Sequence, residues 1–124
     1  MRSEKSETPK THIADLNRIS VSIKNLVNNG FTEQFTATPR GLYALRNCRY
    51  YRPEQIKIRL ILKQNTDSKN DQNVLAYILE SSDGVRGIMI DYFDKKPNPL
   101  MAKFITQTEE VQRKLELYNR QHKH

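Results

Sequence analysis

Residues 56–63 read Ile56-Lys57-Ile58-Arg59-Leu60-Ile61-Leu62-Lys63, an alternation of apolar and basic side chains interrupted only at Ile61. Alternation with period two predicts a β-strand with one face on a core and one in solvent. Ile56, Ile58, Leu60 and Leu62 are expected to point inward, and Lys57, Arg59, Ile61 and Lys63 outward. Downstream, residues 64–73 are polar throughout and predict a mobile loop. Residues 74–79, Val-Leu-Ala-Tyr-Ile-Leu, are apolar on both faces, as in a central strand covered on each side. Ser82-Asp83-Gly84 then turns the chain into a strand over residues 85–93, because an Asp-Gly pair between two apolar runs is a strong hairpin signal. These three runs predict a three-stranded antiparallel meander.

Working outward toward the N-terminus, residues 14–29 predict a helix. Leu16, Ile19, Ile23, Leu26 and Val27 recur at helical spacing. Asp15 is a candidate cap for its start, Gly30 suits the C′ position, and Phe31 can fold back on Leu26. Residues 31–46 predict a hairpin around Thr38-Pro39-Arg40-Gly41, in which Pro39 pre-sets φ for the first turn position. Pro53 begins one helical turn over residues 52–55. Toward the C-terminus, Asn98 and Pro99 open a helix over residues 99–121. Its apolar stripe runs Met101, Phe104, Thr108, Val111, Leu115 and Tyr118, a spacing that suits packing on the sheet. Part of it, Met101, Phe104, Val111, Leu115 and Tyr118, offers the alternative of joining a homodimer.

The predicted fold is therefore α+β: an N-terminal helix, a hairpin and a three-stranded antiparallel meander forming one sheet, and a long C-terminal helix. One face of the sheet is expected to carry the helices. A disordered tail is expected over residues 1–13, a single domain over 14–97, and the last helix over 98–124. The 124 residues suit one domain. Cys48 is the single cysteine, which excludes an intrachain disulfide and a cysteine-based zinc site within one chain. No stretch approaches the roughly 18–20 apolar residues of a membrane span, and the N-terminus lacks a secretory apolar region, so a cytoplasmic location is expected.

The order of motifs from Tyr51 onward carries a resemblance. Tyr51-Arg52-Pro53-Glu54 precedes a strand and a polar loop, and then Val74-Leu75-Ala76-Tyr77-Ile78, Ser82-Asp83-Gly84-Val85-Arg86-Gly87 and Ile88-Met89-Ile90-Asp91 follow. With the upstream helix ending Asn-Asn-Gly-Phe and the Gly-Leu pair, this resembles a group of small bacterial proteins often labelled phosphoribosylpyrophosphate synthetase. The resemblance spans about residues 16–92 and rests on turn and strand signals. The chemistry named by that label is not written in the residues. The chain has no G-x-x-x-x-G-K-[ST] loop and no acidic pair followed by Thr-Gly, so it lacks a phosphate cradle for pyrophosphoryl transfer.

Other catalytic constellations are equally thin. His12, His122 and His124 lie in terminal segments, where no packed shell would hold a general base. Cys48 has Arg46 and Arg49 nearby in sequence, which would favour a thiolate, but no histidine stands by as its base. Asp91 is the one acid expected to face inward, either paired with Arg86 or Arg59 or placed in a small-molecule site. Gly84 is explained by a turn and Gly87 by a bulge or by close packing against a helix. No catalytic residue, metal ligand or cofactor is therefore assigned.

Charge is the most informative feature. The net charge is +7, and residues 40–63 carry seven cations against Glu54 alone. Tyr43, Tyr50 and Tyr51 are interleaved with them. Arginines for phosphates and aromatics for bases are the combination that single-stranded nucleic-acid binders use. Arg46, Arg49, Arg52, Lys57, Arg59, Lys63, Tyr50 and Tyr51 form the candidate nucleic-acid or anion site. Three functions are compatible with the sequence: a non-enzymatic binding or assembly protein, a binder of single strands or other anions, and a small-molecule enzyme using Asp91.

Overall fold

The computed structural model describes residues 12–65 and 72–122, with side chains from Ile19 onward. Of the tail predicted over residues 1–13, residues 1–11 lie outside them, as do the loop tip at 66–71, His124 and the side chains of His12, Asp15 and Leu16, whereas residues 12 and 13 belong to the first helix. Helix α1 spans His12–Asn28. Strands β1 (Glu33–Thr38), β2 (Gly41–Ala44) and β3 (Arg49–Tyr51) follow, then a 3-10 turn (Pro53–Gln55), β4 (Ile56–Gln64), β5 (Asn73–Ser81), β6 (Arg86–Phe93) and helix α2 (Pro99–Gln121).

The fold is α+β, with one six-stranded mixed sheet in the order β3-β2-β1-β6-β5-β4. It differs from the predicted hairpin plus meander in two ways. The hairpin gains a third strand, β3, which pairs with β2 through Leu42 opposite Tyr51 and Tyr43 opposite Tyr50. The two antiparallel halves meet through a parallel joint, Glu33 opposite Gly87 and Gln34 opposite Ile88. At that joint Gly87 faces the β1 backbone rather than a helix, because a Cβ there would lie 2.1 Å from the Glu33 carbonyl oxygen.

The sheet has to curl. β3 and β4 are its two edges, five strand spacings or about 24 Å apart if flat, yet the five steps from Tyr51 to Ile56 reach at most about 18 Å. Contacts across the curl agree. The Tyr51 hydroxyl donates to both oxygens of Asp83 at 3.0 and 3.1 Å, and Arg49 Nη1 lies 2.5 Å from Asp83 Oδ2. Asp83 sits in the β5–β6 turn, so the far edge strand bends back to that turn. Inside the curl lie Phe35, Leu42, Tyr51, Ile56, Tyr77, Leu79 and Met89, closed over by Phe104 and Ile105 of α2.

The outer face is covered separately. Ala76, Ile78 and Ile88 alternate with the inner set and are buried as well. Ile23 and Val27 of α1 share a cleft with Ile88, Ile90 and Tyr92. The helices thus lie on opposite faces, correcting the expectation of one helical face. The sheet needs this because β5 is apolar on both sides. α1 ends as its sequence predicts, with the Phe31 N–H bonded to the Leu26 carbonyl at 3.0 Å and the Gly30 N–H to Val27 at 3.1 Å.

β4 corrects the strand that opened the sequence reading. Ile58 lies opposite Leu79 but Leu60 lies opposite Ile78, so Arg59 is an extra, bulged residue. Beyond the bulge every side chain changes face. Leu60 and Leu62 fall on the outer face with Ile78 and Ala76, while Ile61 and Lys63 share the inner parity of Tyr77 and Leu75. The Ile58 N–H left at the free edge is taken by the Gln112 side-chain oxygen of α2 at 2.9 Å.

Asp83 holds the curl at one end and sets an acid sensitivity. The Ser81 hydroxyl, with Tyr51 and Arg49, holds its carboxyl below the usual carboxylate range, against partial burial that pushes it up. A depressed folded value means a stabilisation present above about pH 4 and lost as pH falls through the folded value. The thermal midpoint of the wild type should therefore drop below pH 4, and that of Asp83→Asn should drop less over the same range. Parallel pH profiles for the two proteins would remove Asp83 from this role.

Candidate nucleic-acid interface

The β1–β2 turn is pressed against β3. A Cβ at Gly41 would sit 2.7 Å from the Tyr51 carbonyl oxygen, and φ there is +128°, so glycine alone fits without strain. Thr38 Oγ1 donates to the Gly41 carbonyl at 2.8 Å and accepts the Arg40 N–H at 3.1 Å. This fixes Arg40 at the rim of the sheet, within reach of both faces. On the outer face its guanidinium lies 5.0 Å over the Tyr50 ring. On the other side it lines a groove of about 350 Å³ together with Arg52, Lys103, Thr38, Gln107 and Phe104. Among the described residues, no acidic side chain lines that groove.

Each cation comes from a separately anchored element. Arg52 precedes the 3-10 turn and gives its N–H to Gln55 Oε1 at 2.8 Å. Lys103 stands near the start of α2, where Asn98 Oδ1 accepts the N–H groups of Leu100 and Met101 at 2.9 and 3.2 Å. Asp91, 4% exposed, accepts the Asn98 N–H at 2.7 Å. Its partner is this backbone group rather than the arginines expected. Arg59 pairs with Glu80 at 3.5 Å, and Arg86 lies 4.9 Å over the Phe31 ring. Asp91 thereby positions the helix that carries Lys103.

Beside Arg40 the outer face of β2 and β3 presents two aromatic rings. Tyr43 and Tyr50 are paired across the strands with centroids 4.8 Å apart and planes tilted by 49°. Tyr50 is 44% exposed. The Tyr43 hydroxyl is pushed above its ordinary value, chiefly by its hydrogen bond to the Cys48 side chain and by the charge of that group. It is thus a neutral phenol at pH 7. Cys48 itself sits exposed in the β2–β3 turn with φ +54°.

The structure brings together only part of the predicted set. Arg52 lines the groove, and Tyr50 lies on the outer face under the guanidinium of Arg40, which lines the groove too. Tyr51 does neither: it is 2% exposed and packs edge-on against Phe35, 6.2 Å between centroids. Arg49 is engaged with Asp83, and Arg46 reaches the Thr32 carbonyl at 3.4 Å, so neither is committed to Cys48. Lys57 and Arg59 line a different groove, interleaved with Glu54, Glu80 and Glu116. Lys63 stands exposed near the end of the edge strand β4.

The dimer stripe divides in the same manner. Phe104 belongs to the core of its own chain and cannot join a partner, whereas Leu115 and Tyr118 are 54% and 57% exposed. His122 stacks on Tyr118 at 4.0 Å. Arg40, Tyr43 and Lys103 were missing from the predicted site. Arg40 and Tyr43 stood inside the basic window, but Lys103 carried no signal before the fold placed α2 beside the turn.

Among the described residues, no three of His, Cys, Asp and Glu converge on a point that could hold a metal, and no helix is long and apolar enough to cross a membrane. Comparison with protein-family models, curated proteins and solved structures finds no match to this chain.

Proposed function

We propose that this is a non-catalytic binding protein whose ligand presents phosphate or a comparable anion to the groove between Arg40, Arg52 and Lys103. The observation that supports this most is the convergence of three cations from three elements on one groove without a carboxylate. The groove of Lys57 and Arg59 makes the contrast, since Glu54, Glu80 and Glu116 line it and Glu80 pairs with Arg59. Arginine side chains offer planar, bidentate donors to phosphate oxygens, and lysine adds a point charge. The Gln107 side chain lines the same groove, and its amide adds a donor that an oxyanion can use.

The test is fluorescence anisotropy with a short labelled single-stranded oligonucleotide as a phosphate chain, at ~50 and ~200 mM salt. Three neutralised phosphates give an expected slope of log affinity against log salt near −2. Replacing Arg40, Arg52 and Lys103 together with Gln should abolish most of that slope. The Lys57, Arg59 and Lys63 to Gln triple should stay within about two-fold of wild type, as solvated or neutralised charges contribute little. No binding at ~50 mM salt, or equal losses in the two triples, would reject the groove as the site.

A further inference from the structure

We infer that the ligand of this groove is a single-stranded nucleic acid, with a base stacked on Tyr50 and the adjoining phosphate held by Arg52 and Lys103. The inference rests on the groove being an anion site, and goes further by naming the chemical class.

A simple phosphate or an acidic peptide would need only the cations. The structure adds an aromatic pair on the outer face of the sheet, linked to the groove by Arg40, which lies over Tyr50 and also lines the groove. Tyrosines on a sheet usually serve packing, and Tyr51 next in sequence does so. Tyr50 instead is 44% exposed, and its ring meets the Tyr43 ring and the Arg40 guanidinium.

The distances limit how a base can bind. The two tyrosine rings are 4.8 Å apart and tilted by 49°, which leaves no slot between them. The position open to a flat ligand is the one over Tyr50 now taken by the Arg40 guanidinium, itself a planar, positively charged group. A nucleobase can stack on Arg40 or replace it there. In the second case Arg40 turns toward the groove that it already lines, where a phosphate would meet it beside Arg52 and Lys103. Aromatic and arginine planes accept any base, so the recognition is broad in sequence. A duplex cannot bind in this mode because its bases remain stacked on one another.

The experiment compares a labelled thymidine oligonucleotide with an abasic phosphodiester chain of equal length and label, at ~50 mM salt. The oligonucleotide is expected to bind about ten-fold or more tightly than the abasic chain, in line with the stacking of one base. Tyr50→Ala should reduce that ratio to near one, while Tyr50→Phe, which keeps the ring, should preserve it. The thermal midpoints of both variants establish that they fold. Equal binding of both chains by the wild type would overturn the inference and leave the anion groove standing. Binding of neither would overturn both. A ratio unchanged in Tyr50→Ala would remove Tyr50 as the stacking residue.

Discussion

Gly87→Ala is expected to lower the thermal midpoint by about ten degrees or more. The added Cβ would lie 2.1 Å from the Glu33 carbonyl oxygen, 2.5 Å from its carbon and 2.6 Å from Glu33 Cβ. Two of these atoms are backbone, so no rotamer change relieves the overlap. β1 would have to move away, and its joint to β6 consists of only two residue pairs. Overpacking typically costs 1–3 kcal/mol and sometimes more. Here a cost of about 3 kcal/mol acts on a total stability of roughly 5–15 kcal/mol. At this chain length each kcal/mol corresponds to about four degrees. Differential scanning calorimetry decides the matter, and a midpoint within three degrees of wild type would show that the joint tolerates a methyl group.

Phe104→Ala comes next in size, with an expected loss of about 3–5 kcal/mol. Phe104 is the side chain by which α2 closes the curled sheet, buried with Ile105 among Phe35, Tyr51 and Met89. Removing the ring leaves a cavity that α2 cannot collapse into. The Asn98 N–H bonded to Asp91 and Gln112 bonded to the Ile58 N–H pin the helix at two points, and the Thr108 hydroxyl bonds back to the Phe104 carbonyl at 2.9 Å. Guanidinium unfolding should show a lower midpoint with an unchanged slope. Leu115→Ala, further along the same stripe, should change stability by less than about 0.5 kcal/mol because the side chain is exposed. Similar losses at the two positions would mean that the helix end packs more closely than described.

The contrast between Phe104 and Leu115 marks the limit of what the sequence discloses. Local chemistry was legible. The stop at Gly30, the cap at Asn98 and the turn at Asp83-Gly84 each depend on two to six neighbouring residues, and all three stand where periodicity and turn propensity put them. Features that depend on register were not legible. Tyr50 and Tyr51 are adjacent and identical, yet one faces solvent and the other the core, because β3 pairs with β2 in one parity. The bulge at Arg59 has its trace in the three consecutive apolar residues Leu60, Ile61 and Leu62, which alternation alone does not explain. The parallel joint left only Gly87 as a sign, and a glycine in a strand has several causes. The candidate site followed the same rule. Its cations from the turn and from β3's end lay in one basic window, and Lys103, more than fifty residues away in sequence, needed the tertiary structure.

The parallel joint also governs the order in which the sheet can be completed on the ribosome. β1 borders β2 on one side and β6 on the other, so its second border stays open until residue 88 has left the exit tunnel. Through that interval the nascent chain offers an unpaired strand edge, the kind that captures other chains. Glu33, at the start of this edge, has a carboxylate that accepts the Arg46 N–H at 2.6 Å and is buried once the sheet is whole. An inward-pointing charge on an open edge deters a foreign strand, which would have to bury it. The same residue whose carbonyl excludes a side chain at position 87 thus guards the vacancy until β6 arrives.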